Sequence, residues 1–247
     1  MGYLINYLIE QANWQNSLFF LFLSAGPTLL WLILCLKLDS SSPEPKKEIF
    51  KVFVFGIFIA ILIIPIAGYL TRLTKNNLLS QPLLSIFVLS FLVDGFIEEL
   101  AKYFILRFKI YYSKYFDELR DGFIYGMVLG LGFSFIENIL YAFLSNNLIS
   151  GAGMIIFRGF TSTFMHFLSG GIIGYYIALF KMRQRSPIER GGRKQKWIMV
   201  KGLLIAVLFH GFYNSIIRFD WWWNLIPLTI LLLFVCRLIL KRIKRIS

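Results

Sequence analysis

The stretch FKVFVFGIFIAILIIPIAGYL, residues 50–70, carries a single charge, Lys51, followed by an unbroken apolar run. A transmembrane helix needs about 20 mostly apolar residues, so this run predicts a membrane crossing. Working outward, six more segments have the same character: 17–38, 82–106, 122–145, 154–180, 197–217 and 222–240. The chain of 247 residues is 57% hydrophobic and 16% charged, against roughly 25% charged residues in soluble domains. The expectation is an all-α, polytopic membrane bundle of about seven helices. It forms one integral-membrane domain over 1–247, because the connections leave no room for a soluble domain.

The net charge of +13 raises the question of nucleic acid, and the placement of the basic residues answers it. Twenty-one of the 26 Lys and Arg cluster at the first, third and fifth loops and at the C-terminal end, for example Lys46, Lys47, Lys109, Lys114, Arg193, Lys194 and Lys241. Only Arg72, Lys75 and Arg218 fall on the other side, while Lys102 and Arg158 lie inside apolar segments. By the positive-inside rule this predicts an outside N-terminus and a cytoplasmic C-terminus. The basic loops read as topology signals and contacts to anionic lipid, and no nucleic-acid partner is expected. The first sixteen residues lack Lys and Arg, so the segment reads as a retained lead-in rather than a cleaved signal. Cys35 and Cys236 sit in separate apolar runs and read as filler.

Small residues recur at helical spacing in the fourth and fifth segments: Gly122, Gly126, Gly130 and Ser134, then Gly170 and Gly174 after His166. In lipid such ridges let helix backbones approach closely, so these two helices are expected at the centre. The polar residues fall on the same helices and their neighbours. Glu98, Glu99 and Lys102 lie on the third segment, Glu137 with Asn138 on the fourth, Arg158 and His166 on the fifth, and His210 with Asn214 on the sixth. Each buried charge costs about 2.5–3.5 kcal/mol on an insertion scale, so the groups must face one another or a wet cavity. Spacing of four predicts a Glu98–Lys102 pair, a His210–Asn214 face and an Arg158–Ser162–His166 stripe. Asp94, one turn before Glu98, reads as a helix-packing group outside the site.

Two carboxylates, two imidazoles and an amide can hold a water, take its proton and stabilise an oxyanion, which is the equipment of a hydrolase. Two His and one Glu, with Glu137, His166 and His210 as candidates, also make a catalytic zinc set with one position left for water. The metal-free route, a carboxylate-activated water, is the expectation; Zn2+ is the alternative. Buried carboxylates and histidines also serve proton relays, so a non-proteolytic scaffold, proton-coupled transporter or sensor is the second functional class. The absence of an internal repeat disfavours a transporter.

The order of motifs resembles the PrsW family of intramembrane proteases, which is grouped with the type II CAAX prenyl proteases, the Abi proteins and the APH subunits of gamma-secretase. EELAK (98–102) matches EExxK, and FSFIEN (133–138) with Tyr141 matches FxxxEN followed by an aromatic. RGFTSTFMH (158–166) matches an Arg eight residues before a His, and HGFYN (210–214) matches the last motif. The resemblance covers about residues 94–216. It implies that Glu98 and Glu99 are catalytic, that Glu137, His166 and His210 complete the site, and that the substrate is a membrane-associated protein or peptide. An anti-sigma factor cleaved in a bacterial cytoplasmic membrane is the case it suggests. The last motif in that family usually ends in Asp. Asn214 instead follows the CAAX and Abi pattern, while Glu137 follows PrsW. An uncharged amide suits an oxyanion better than a cation, so Asn214 joins the expected catalytic set with Lys102, Asn138 and Arg158 in support.

Overall fold

A computed structural model describes residues 14–38, 43–145, 147–185 and 193–219, with a few single positions beyond. The predicted seventh segment, 222–240, and the lead-in before residue 14 lie essentially outside the described residues. Every regular element among them is helical. These are α1 (Trp14–Leu38), α2 (Lys46–Asn77), α3 (82–110), α4 (Leu119–Phe143), α5 (Leu148–Phe160), α6 (Ser162–Arg185) and α7 (Arg193–Arg218). Five runs are long and apolar enough to cross a membrane, namely Asn16–Lys37, Lys46–Asn77, Leu119–Phe143, Leu148–Gln184 and Trp197–Arg218. The chain is a multi-pass membrane protein.

The helices overrun the apolar segments at most ends. α2 continues through Arg72 and Lys75, because a helix ends where its hydrogen-bond ladder ends, and polarity alone does not stop it. Pro65 sits inside α2 and Pro27 inside α1, as membrane helices tolerate. α3 alternates its winding: α over Pro82–Phe87, wider π turns over Val88–Phe96, α over Ile97–Ile105 and π again over Leu106–Ile110.

The predicted helix 154–180 is a correction. The structure starts earlier, at Leu148, ends later, at Arg185, and breaks at Thr161 between α5 and α6. The Thr161 hydroxyl donates 2.9 Å to the Phe157 carbonyl, the type of back-bond that bends helices. Trp31 Nε1 of α1 donates 2.9 Å to the Gly159 carbonyl and secures the end of α5.

α4 and α6 form the centre. α4 is buried along most of its length and packs on α6, α2, α1 and α5. The small residues meet across the α4–α6 seam in antiparallel order: Gly122 against the Gly174 carbonyl, Gly126 against that of Gly170, Gly130 against that of His166. A Cβ at any of these glycines would run into backbone. On the other side of α4, Gly132 meets the Phe53 carbonyl and Gly56 that of Leu129, so α2 closes in the same way. Large side chains such as Phe22, Phe50, Phe58 and Phe108 point outward, as lipid-facing residues do. The loop before α4 is tied down by Lys181, which donates 2.5 Å to the Tyr111 carbonyl and 2.6 Å to that of Phe116.

Candidate active site

The close α4–α6 seam brings Glu137 and His166 together, and α3 and α7 close the ring. His166 Nε2 lies 2.8 Å from Glu137 Oε2, and His166 Nδ1 lies 2.8 Å from Lys102 Nζ. An ammonium has only protons to give, so Nδ1 accepts, and Nε2 carries the proton that faces Glu137. Lys102 also donates 2.7 Å to Glu99 Oε1. That same oxygen accepts from Ser169 Oγ at 3.0 Å and lies 2.7 Å from His210 Nδ1. His210 Nε2 lies 3.9 Å from Glu98 Oε2. The two imidazoles stand edge to face with centroids 5.0 Å apart. A chain of contacts therefore runs from Glu137 through His166, Lys102, Glu99 and His210 to Glu98, all of them buried.

Arg158 closes the outer side of Glu137. Its Nη2 lies 2.7 Å from Glu137 Oε2 and donates 2.8 Å to Ser162 Oγ, while Nε donates 3.0 Å to Asn138 Oδ1. Asn138 Nδ2 donates 2.8 Å to Thr163 Oγ1, and the Tyr141 ring covers the guanidinium at 3.8 Å. The break at Thr161 leaves the Arg158–Ser162–His166 stripe connected, because the guanidinium is long enough to bridge it.

Three expectations change. Lys102 pairs with Glu99, three residues away, and not with Glu98. The choice comes from α6 and α7, since His166, Ser169 and His210 all converge where Glu99 and Lys102 point. Asn214 is bonded to a residue outside the expected set: its Nδ2 donates 2.8 Å to Asp94 Oδ2. Asp94, set aside from the sequence, also receives Arg218 Nη2 at 2.7 Å. Finally, the group among the described residues that could hold a cation is Glu98, His166 and His210, with ligand atoms all within 4.8 Å of one another. Glu137 is not in that group; its Oε2 lies 2.7 Å from Arg158 Nη2 and 2.8 Å from His166 Nε2. Ser169 and Thr163 also join the network, donating to Glu99 and accepting from Asn138, although isolated hydroxyls on an apolar helix carry no distinguishing spacing.

The donor set fits a divalent cation. Glu98 Oε2 and Glu99 Oε2 are buried and meet no hydrogen-bond donor among the described residues, which is costly unless something positive shares the site. Glu98 and His210 offer free ligand atoms. His166 joins them by exchanging its Lys102 or Glu137 contact, and Glu99 on His210 Nδ1 is the kind of outer carboxylate that orients a ligating imidazole.

Fold and site define a polytopic membrane protein with a carboxylate–imidazole centre enclosed by its helices. The PrsW family model, described as that of an intramembrane metalloprotease, matches residues 44–240. Protease PrsW of Clostridioides difficile (strain 630) is 29% identical over 220 residues, covering 89% of this chain and 87% of the relative. The Bacillus subtilis (strain 168) protein of the same name is 30% identical over 196 residues, 78% and 81% of the two chains. That of Oceanobacillus iheyensis is 30% identical over 197 residues, 79% and 82%. No solved structure gives a significant match. The chain belongs to the PrsW family and is an intramembrane protease.

Proposed function

We propose that the chain hydrolyses a peptide bond of a membrane-anchored protein, using a water positioned between Glu98 and His210. The observation that carries this is Glu98 Oε2, buried without a donor among the described residues and 3.9 Å from His210 Nε2. A water hydrogen-bonded to both groups at about 2.8 Å spans that separation. Glu98 accepts the proton as the water attacks the scissile carbonyl, then returns it to the departing amine. Glu99, saturated at Oε1 by Lys102, Ser169 and His210, holds the His210 tautomer and is the positioning partner of the pair. Lys102 and Glu137 hold the His166 ring from both sides, and Arg158 compensates Glu137. The surrounding helices exclude bulk water, which strengthens each of these contacts.

Glu98, His166 and His210 are the residues that would hold a Zn2+ ion. Such an ion supplies Lewis acidity, lowering the pKa of a water and offsetting charge on the carbonyl oxygen. The reading extends to a bacterial cytoplasmic membrane with the N-terminus outside, to cytoplasmic loops against anionic lipid, and to a regulatory target such as an anti-sigma factor.

The test uses purified protein in lipid vesicles with a membrane-anchored substrate. Glu98→Gln and His210→Ala should each lose cleavage by at least about 10²-fold while keeping the wild-type elution profile. Cleavage by both folded variants at the wild-type rate removes the proposal.

A further inference from the structure

From the Glu98–His210 pair, α3 and α7 continue as a polar ladder, and the chemistry above uses only that pair. Ser90, Asp94 and Glu98 follow one another at intervals of four on α3, and Arg218, Asn214 and His210 do so in the reverse direction on α7. The rungs match. Arg218 Nη1 donates 3.1 Å to Ser90 Oγ, and Arg218 Nη2 lies 2.7 Å from Asp94 Oδ2. Asn214 Nδ2 donates 2.8 Å to the same Asp94 oxygen, and His210 stands opposite Glu98. Two rungs are therefore clamped by charge-assisted hydrogen bonds, and the third is the 3.9 Å gap assigned to the water.

The clamp falls on a stretch of α3 whose winding departs from the α-helix. Val88–Phe96 is π-wound, a winding found mostly as short insertions at functional sites. Ser90 and Asp94 lie inside this stretch, which leads directly into the α-wound turn bearing Glu98 and Glu99. The backbones also approach closely here: a Cβ on Gly95 would lie 3.0 Å from the Val207 carbonyl and 3.4 Å from the Gly211 nitrogen. Through Asp94, α7 gives this stretch a fixed reference outside its own hydrogen-bond ladder.

We infer that Asp94, held by Arg218 and Asn214, is a positioning residue that sets the separation of Glu98 from His210. It touches neither substrate nor the reacting atoms. Asn214 thereby acts through Asp94 and not as an oxyanion donor. The inference rests on the Glu98–His210 centre proposed above.

The experiment measures kcat and KM of full-length Asp94→Ala, Arg218→Ala, the double variant and Asp94→Glu, with rates normalised to folded protein by thermal melting. A displaced reacting group costs up to about 10²-fold in rate, so each single alanine variant should lower kcat by roughly ten- to a hundredfold with KM within about twofold. The double variant should be no slower than the slower single one, because both remove one clamp. Asp94→Glu, which keeps the carboxylate, should recover most of kcat. Should Asp94→Ala prove unfolded, the partly exposed Arg218 carries the test through Arg218→Ala alone. Wild-type kcat in a folded Arg218→Ala or Asp94→Ala, or losses that simply multiply in the double variant, overturns the inference. Glu98→Gln runs alongside. If it cleaves normally the hydrolytic centre itself is misassigned; if it is inactive while the clamp variants are normal, only the positioning role fails.

Discussion

Replacing Lys102 with methionine keeps the stem of the side chain and removes its charge. Lys102 and Glu99 are both fully buried and lie 2.7 Å apart, with His166 Nδ1 at 2.8 Å on the other side of the ammonium and the Phe133 ring 4.9 Å away. Removing one member of a buried ion pair leaves the other charge uncompensated and costs about 3–5 kcal/mol. For a chain of this size that corresponds to a melting shift of about 6–20 °C, taking about 2–4 °C per kcal/mol. Among the described residues Glu99 then keeps Ser169 and His210 as donors, and the charge has no lysine or arginine in contact. In Glu99→Gln/Lys102→Met the stranded charge is gone, and most of the stability should return. The assay is thermal unfolding in one detergent at fixed protein concentration. Lys102→Met melting with wild type, or a double variant as unstable as the single one, refutes the view that the pair is held by compensation.

Gly126→Ala drives a Cβ into the Gly170 carbonyl, and overpacking of this type costs about 1–3 kcal/mol; melting should fall and cleavage with it, since the same seam sets Glu137 against His166. Arg158→Lys exchanges a planar fork that reaches Glu137, Asn138 and Ser162 for a point charge, and each lost charged hydrogen bond is worth about 1.5–3 kcal/mol, which a melting series with Arg158→Lys and Asn138→Ala measures. Elemental analysis of purified wild type should find zinc near one per chain, with less in His210→Ala; fully active protein without bound metal would remove zinc from the proposal.

Much of this protein could be read before any coordinates. The runs around 50–70 and their six counterparts identify a membrane bundle because lipid leaves a spanning chain little choice but helix. The glycine spacing of 122, 126 and 130 against 170 and 174 marks the two helices that touch, since only small residues allow backbones so close. Charges at 98, 99, 102, 137 and 158 stand out because the membrane makes each one costly. A single sequence nevertheless specifies faces and depths within each helix, and not which faces meet. That Lys102 turns to Glu99, that Glu137 meets His166 while Glu98 stands opposite His210, and that Asn214 donates to Asp94 are all decided between helices. Helix α6 supplies His166 and Ser169, α5 supplies Arg158 and α7 supplies Arg218. Hydropathy and periodicity are properties of one helix at a time; hydrogen bonds among buried charges belong to the packed bundle, where each donor finds its acceptor only after the backbones have met.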